Sequence, residues 1–383
     1  MQAPKNGFFY VIDRTNGEFI SGKPYTVVNW ATSIDEKGRP VEAPFARYNN
    51  PGENTVIAPG AFGGHNWQPQ AFNRETKLMY IPTHTVSNAF SHEPVDTYNK
   101  VARAASGSGW NVSYADKLYK PFGAGSAGAP DPLKPYGRTI AYDPVQQKEV
   151  WAVEHPLTHW NGGILTTKGG LVLQGDATGQ FTIYDANNGT KLWQKDLLTG
   201  IIAPPVTYTV DGEQYVTVLV GWGGIVGLTR KFTKNVHPGR IFTFKLGGQA
   251  EMPAEMTNPV VTSLTALPFE GQPLDVGRGL NLYIKFCLQC HGDAFGAGGG
   301  ALPDLTHSSE GVFKNHKEII LNGMLSSNGM PGFEGRLTEQ DVDDIGHFLK
   351  YISHAYRQGD DPVKLLTDLA GMQYLADTTP RKD

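Results

Sequence analysis

Cysteine is nearly absent from this chain: 383 residues hold two, Cys287 and Cys290. That scarcity excludes a disulfide-stapled scaffold. Charge is also sparse, at 18% of residues with a formal net charge of −4, so neither a nucleic-acid role nor a polybasic membrane role is indicated. No apolar run approaches the length of a membrane span. Residues 1–20 lack the apolar core of a signal peptide and read as a strand pair. Glycine, by contrast, is plentiful at 46. Much glycine with little charge suits a turn-rich β architecture, and the length predicts two or three domains.

The two cysteines stand in Cys287-Leu288-Gln289-Cys290-His291. Thiols at this spacing can each add to a vinyl group of one porphyrin, and the adjacent imidazole can then coordinate its iron. A disulfide, a thioredoxin-like redox pair or half a zinc site are the other readings. A thioredoxin-like motif wants a strand before it and a βαβ context, and zinc would need two more soft or imidazole ligands. Asp275 to Phe286 predicts a helix with Gly279, Leu282, Tyr283 and Phe286 on one face. A glycine-rich loop, Gly296–Gly300, follows, then Pro303-Asp304-Leu305. Met330, about forty residues past the histidine, offers a sixth iron ligand. Met324 is its rival, but the preceding Ile319, Ile320 and Leu321 give it the look of helix packing. Thr338-Glu339-Gln340-Asp341 reads as a helix cap, and Val342, Ile345, Phe348, Leu349 and Ile352 form one apolar stripe. Residues 272–357 therefore read as a small all-helical cytochrome c domain.

The rest of the chain repeats one device, a strand, an Asp- or Asn-led turn and a second strand. Phe8–Asp13 leads to Glu18–Ile20, and Gln70–Asn73 leads to Leu78–Ile81. Thr139–Asp143 leads to Glu149–Trp151, and Phe181–Asp185 leads to Thr190–Trp193. Arg240–Phe244 reads as a last partial copy. Asp143 and Asp185 lie forty-two residues apart. That period suits four-stranded propeller blades, with the closing tryptophans packed between them, and a β-sandwich is the plainer alternative. Ser21–Gly64 and Ser87–Tyr136 read as loops or inserts covering one end. Three polar-aromatic corners stand out: His65-Asn66-Trp67-Gln68-Pro69, His159-Trp160-Asn161-Gly162-Gly163 and Gly221-Trp222-Gly223-Gly224. Tryptophans there can wall a ligand site, although in a propeller they more often pack blades.

Several of these runs resemble the pyrroloquinoline quinone (PQQ) dependent alcohol dehydrogenases. They are Gln2-Ala3-Pro4-Lys5-Asn6-Gly7 through Gly17, His65–Pro69, Gly175-Asp176-Ala177-Thr178-Gly179 and Val220–Gly224. With the C-terminal cytochrome, the chain resembles the quinohaemoprotein branch over nearly its whole length. The resemblance implies an eight-bladed propeller with PQQ and Ca²⁺ near its axis. It implies oxidation of an alcohol, with electrons passing from reduced PQQ to haem c and on to an external acceptor. It casts Lys5 as the lysine bonding the quinone oxygens, Asn66 and Trp67 as a pair lining PQQ, and Trp222 as a residue near the ring. It casts Cys287 and Cys290 as the haem attachment points, with His291 and Met330 on the iron. The family's catalytic aspartate and calcium ligands lie upstream of the segment matching Lys5, so no catalytic residue is assigned here. Asp176 is the best placed acid, but its Gly-Asp-Ala-Thr-Gly setting reads as a turn.

The expected fold is thus an all-β incomplete propeller of the eight-bladed type, about four to five blades, followed by an all-α cytochrome c domain. The boundaries are 1–248 for the partial quinoprotein propeller, 249–271 for a linker, 272–357 for the cytochrome c domain and 358–383 for a C-terminal tail. The expected function is that of a PQQ-dependent alcohol dehydrogenase, truncated and with little activity alone. The alternative is a stand-alone haem c electron carrier with a non-catalytic β docking domain. The expected cofactors are covalent haem c, with PQQ and Ca²⁺ belonging to the full-length family. Expected partners are a small primary or secondary alcohol and an acceptor such as a blue copper protein, a cytochrome or a quinone. The missing N-terminal half, or self-association, would cover the open edges. The resemblance implies a periplasmic location.

Overall fold

A computed structural model describes residues 1–47, 54–91, 136–155, 160–221, 239–254, 271–291, 305, 308–358, 368, 369, 371–373, 375, 376 and 379. They fall into two compact units, a β region up to residue 254 and a helical region from 271 onward. Most of the expected linker (255–270), most of the second excursion (92–135) and the Gly296–Gly300 loop lie outside the described residues.

In chain order the β region contains β1 (Phe8–Ile12), β2 (Phe19–Pro24), β3 (Ala31–Ile34), β4 (Pro40–Glu42), β5 (Asn54–Ile57), β6 (Ala71–Phe72) and β7 (Met79–Thr85). There follow β8 (Asn88–Ser91), β9 (Tyr136–Asp143), β10 (Lys148–His155), β11 (Ile164–Thr166), β12 (Leu171–Gly175), β13 (Gln180–Asp185) and β14 (Lys191–Asp196). The last three are β15 (Val206–Val210), β16 (Glu213–Val220) and β17 (Arg240–Lys245). All ladders are antiparallel. Two four-stranded sheets, β10-β9-β7-β6 and β11-β12-β13-β14, stand beside the three-stranded β15-β16-β17 and the pairs β1-β2, β3-β4 and β5-β8. Among the described residues no pairing joins the last sheet back to the first.

One turn closes four of the hairpins. Asp13, Asn73, Asp143 and Asp185 each accept, on Oδ1, the backbone N–H two residues on, at 2.7–2.8 Å. The fifth residue then takes a positive φ: Gly17 at 79°, Lys77 at 61°, Gln147 at 55° and Gly189 at 73°. A short acid or amide that bonds its own backbone pre-forms such a turn, which is why the device was visible in sequence. Two expectations need correction. Ser21–Gly64 is not all loop, because it completes β2 and supplies β3, β4 and β5. Arg240–Phe244 does not open a hairpin, because β17 pairs back onto β16.

Successive sheets dock edge to turn and face to face. Trp151 on β10 donates from Nε1 to Ala186 O at 3.0 Å, and Tyr80 Oη donates to the same carbonyl at 2.8 Å. A side chain on Gly189 would strike the Trp151 ring, which fixes glycine there for space as well as for φ. The β1–β2 pair packs Phe9 and Val11 on Met79, Ile81, Ile140 and Tyr142. At the other end Val218, Val220, Phe242 and Phe244 cover Leu173 and Phe181. The opposite face of β15–β17 is open, with Val206, Leu219 and Ile241 exposed.

The helical region contains α1 (Pro273–Phe286), α2 (Leu288–His291), α3 (Glu310–Lys314), α4 (His316–Ile320) and α5 (Glu339–Gln358). Thr338 and Asp341 form a reciprocal cap: Thr338 N–H donates to Asp341 Oδ2 at 2.8 Å, and Asp341 N–H to Thr338 Oγ1 at 3.2 Å. The predicted α5 stripe, Val342 to Ile352, is buried throughout. The α1 face turns out to be rotated. Val276, Leu280, Tyr283 and Ile284 form its buried stripe, and Leu282 and Phe286 are only half-buried. Gly279 and Tyr283 keep their expected place, and Gly277 turns the helix further: a Cβ on Gly277 would collide with the Met372 carbonyl and one on Gly279 with the Asp344 carbonyl, so α1 packs along its two-glycine side. Leu369 and Met372, from the stretch 358–383, also join this core.

Candidate functional site

The haem-type motif forms one tight turn at the end of α1. Cys287 donates its N–H to Tyr283 O at 2.9 Å and accepts at its own carbonyl from Cys290 N–H at 3.1 Å and His291 N–H at 2.9 Å. Cys287, Cys290 and His291 thus belong to a single helical turn. Both cysteines are free; Cys287 is half-buried and Cys290 exposed. Burial, helped by the Cys290 sulfur, pushes the Cys287 thiol up to about 12, so it rests protonated. His291 is only 8% exposed.

Met330 is delivered by a loop built on glycine. Gly323 and Gly329 take φ of 67° and 92°, and Gly323 and Gly332 approach so closely that a Cβ on Gly332 would lie 3.0 Å from Gly323 N. Beyond them Phe333 N–H donates to Ile320 O at 2.8 Å. Met330 then packs against the same core as Phe286 and Cys287. Met324, expected to pack a helix, is 61% exposed. The thiol pair, the buried imidazole and the half-buried thioether fit what a c-type haem requires, two attachment points and a nitrogen–sulfur ligand pair.

In the β region the structure brings Lys5 to the His65 corner. Three consecutive carbonyls of the first segment are anchored: Ala3 O by the His65 ring at 2.8 Å, Pro4 O by Tyr25 Oη at 2.7 Å and Lys5 O by Gly64 N–H at 2.9 Å. Gly63 lies against the Lys5 stem, with no room for a Cβ. The Lys5 side chain is exposed beside it. Asn66 spends part of its amide on the loop itself, donating to Phe62 O at 2.8 Å and accepting from Trp67 N–H at 2.9 Å. One N–H and one lone pair remain for a ligand. Trp67 is 51% exposed and meets Trp160 edge-on at 6.5 Å. Trp160 is buried and lies on His84 at 4.9 Å. An exposed ammonium, an exposed indole and a partly spare amide suit a flat anionic ring such as a quinone carboxylate.

Trp222 and His159 lie outside the described residues. Asp176 turns its Oδ1 to Thr178 N–H, Thr178 Oγ1 and Gln180 N–H at 2.7–3.0 Å, as its turn setting predicted. Among the described residues no group of three or more His, Cys, Asp or Glu side chains could hold a metal ion. His84 had no part in the sequence reading, and His65 and Trp160 entered it only as members of the polar-aromatic corners. His84 sits in the uniformly buried strand β7, which offers no alternation to mark it, and His65 was masked by its more conspicuous Asn-Trp neighbours.

A turn-rich antiparallel β region with an ammonium, an indole and an amide at one corner, followed by a helical unit with a Cys-X-X-Cys-His turn, is the arrangement that marks the quinohaemoprotein class. Residues 29–216 match the family model described as glucose/ethanol/alcohol dehydrogenase, beta-propeller domain, and residues 275–349 match that described as cytochrome C oxidase, cbb3-type, subunit III. The quinohemoprotein alcohol dehydrogenase of Comamonas testosteroni is 39% identical over 93% of this chain and 49% of its own length. The 1-butanol dehydrogenase (cytochrome c) of Thauera butanivorans is likewise 39% identical, over 93% of this chain and 50% of its own. The solved Comamonas structure superposes with a TM-score of 0.74 over 92% of this chain and 50% of that one. ADHIIG of Pseudomonas putida HK5 gives 0.76 over 96% and 53%. The chain belongs to the PQQ-dependent quinohaemoprotein alcohol dehydrogenase family. It spans about half the length of the curated relatives it matches.

Proposed function

We propose that this chain is the cytochrome-bearing half of a periplasmic PQQ-dependent alcohol dehydrogenase, its β region an incomplete propeller of the eight-bladed type. The carrying observation is the Cys287–His291 turn with Met330 on the same core, in a chain whose β region matches the alcohol dehydrogenase propeller model. Cys287 and Cys290 would hold haem c, and His291 and Met330 would be the side chains that ligate its iron. When bound, PQQ would supply the oxidation of a small alcohol to an aldehyde and haem the one-electron relay to an external acceptor. Lys5 supplies positive charge at the quinone edge, Asn66 a donor and an acceptor, and Trp67 an apolar wall that keeps water off one ring face. A methionine ligand raises the haem potential relative to two histidines, which suits acceptance of electrons from a reduced quinone.

Haem-stained denaturing gels of the matured chain test the attachment. An unchanged low-spin spectrum in Met330→Ala would overturn the axial assignment. Alcohol oxidation also needs a base and a cation polarising the quinone. Neither role is matched among the described residues, so the isolated chain should show negligible dye reduction with PQQ, Ca²⁺ and ethanol. Ordinary enzymic rates would refute that. The second reading, a haem carrier with a β docking domain, draws on the open apolar face of β15–β17. Equilibrium dialysis against PQQ and Ca²⁺ separates the two, since a carrier needs no PQQ.

A further inference from the structure

His65 is held between two carbonyl oxygens. Its Nδ1 lies 2.8 Å from Ala3 O and its Nε2 lies 2.7 Å from Gln68 O. A carbonyl oxygen only accepts, so each contact is a hydrogen bond only if the nitrogen carries a proton. A neutral imidazole carries one, and its second nitrogen then points a lone pair at an oxygen lone pair. Both bonds form together only in the imidazolium. The two carbonyls belong to different parts of the candidate site. Ala3 lies two residues before Lys5, and Gln68 directly follows Asn66-Trp67.

We propose that His65 is the positioning residue of the quinone corner: protonated on both ring nitrogens, it ties the Lys5 segment to the Asn66–Trp67 loop and couples retention of an anionic quinone to uptake of one proton. The inference rests on the reading of that corner as a PQQ site. PQQ is a polycarboxylate, so a second cation beside Lys5 favours it. The titratable groups on the elements packed around His65 are Lys5, Tyr25, whose hydroxyl bonds Pro4 O, and His84, whose N–H bonds Gly64 O at 2.7 Å. None of these brings a carboxylate. Burial accordingly holds His65 below its ordinary 6.5, outweighing the two carbonyl bonds. In the empty site His65 is therefore neutral at pH 7, and the ligand's negative charge must draw the proton on. The signs follow by linkage. Without ligand, acidification through pH 6.5 favours opening of the clamp; with ligand, binding strengthens as pH falls.

The test uses the full haem-loaded chain. Ring ¹⁵N shifts of His65 should show one protonated nitrogen at pH 7 in the free chain and two once PQQ is added. The PQQ dissociation constant, from quenching of tryptophan fluorescence, should rise by up to about tenfold per pH unit above 6.5. His65→Gln, which keeps one donor and cannot titrate, should flatten that slope. A His65 ring with one protonated nitrogen in the PQQ complex, or an equal slope in His65→Gln, overturns the proposal. If PQQ fails to bind at all, the function above falls, and the clamp is still tested in the free chain. There, hydrogen exchange at the Gly64 and Tyr10 amides, corrected for intrinsic rate, should accelerate below pH 6.5 in wild type and not in His65→Gln. Identical exchange in both refutes the clamp.

Discussion

The two regions hold together by different means. In the β region four of the hairpins share one closing turn, and each sheet docks on the next through its own small set of contacts. Trp151 and Tyr80 converge on Ala186 O in one interface, and the β2 edge donates from Lys23 N–H to the Gln147 amide oxygen at 3.0 Å in another. The helical region has one core and one dominant crossing, α1 on α5 through Gly279. A repeated structure spreads its stability over several small interfaces, so each loss is local. A single core concentrates it, and here the core also carries the candidate haem ligands. Damage to the helical region should therefore reach the function sooner than equal damage to a hairpin.

The sharpest break in that comparison is chemical. Replacing both Cys287 and Cys290 by serine should abolish covalent haem entirely, read by haem-stained gels, and should leave the β-region melting transition in place. Loss of both transitions would show that the regions are one cooperative unit. Next in size, Phe348→Ala and Trp151→Ala should each cost about 3–5 kcal/mol, in different transitions. Calorimetry decides, since each substitution should move one peak only. A third experiment concerns the open β15–β17 face, where Ile241 is 70% exposed. Residues 1–248 expressed alone should self-associate through such surface, and Leu219→Glu with Ile241→Glu should reduce it in light scattering. A monomeric, cooperatively folding fragment contradicts this. Thr338→Ala should then cost about 1 kcal/mol, confined to the helical transition, through loss of the α5 cap.

The smallest effect tests the β interior. Tyr142 is buried and its hydroxyl has no partner among the described residues; desolvation first, then the nearby Asp143 charge, push it from 10.0 to about 12. A phenol raised in the fold contributes stability that is complete below pH 10 and lost as pH rises through 12. Tyr142→Phe should change little at pH 7, within about 0.5 kcal/mol, because no hydrogen bond is removed. It should blunt the alkaline loss between pH 10 and 12, measured by denaturant melts. Equal alkaline loss in the two proteins would remove Tyr142 as the cause.

How much of this was legible beforehand follows from how local each feature is. The Asp- and Asn-led turns, the capped α5 helix and the Cys287–His291 turn depend on residues within a few positions of one another, so spacing alone revealed them. Met330 was set above Met324 because the apolar residues before Met324 read as helix packing; in the fold Met324 is exposed instead, and a loop of left-handed glycines lowers the Met330 thioether onto the core. The α1 stripe was right at Gly279 and Tyr283 and misplaced at Leu282 and Phe286, because apolar side chains mark a face in sequence whereas the missing side chain at Gly277 helped choose the buried one. The strands within Ser21–Gly64 were missed because short pairs rich in glycine and polar residues carry little alternation.

Composition, repeat and motif by themselves determined that this chain joins a turn-rich β region to a helical unit bearing a Cys-X-X-Cys-His turn, and in which order. Tertiary structure alone decided that Ala3 and Lys5 are pinned to the His65 corner across some sixty residues of chain, with Pro4 held by Tyr25 between them. It alone decided that His65 faces two acceptors and that one face of β15–β17 stays open. The physical reason is range. A turn or a cap is settled by backbone geometry and bonds over a few residues. A contact between distant segments depends on how every intervening sheet stacks, and no window of sequence contains that sum.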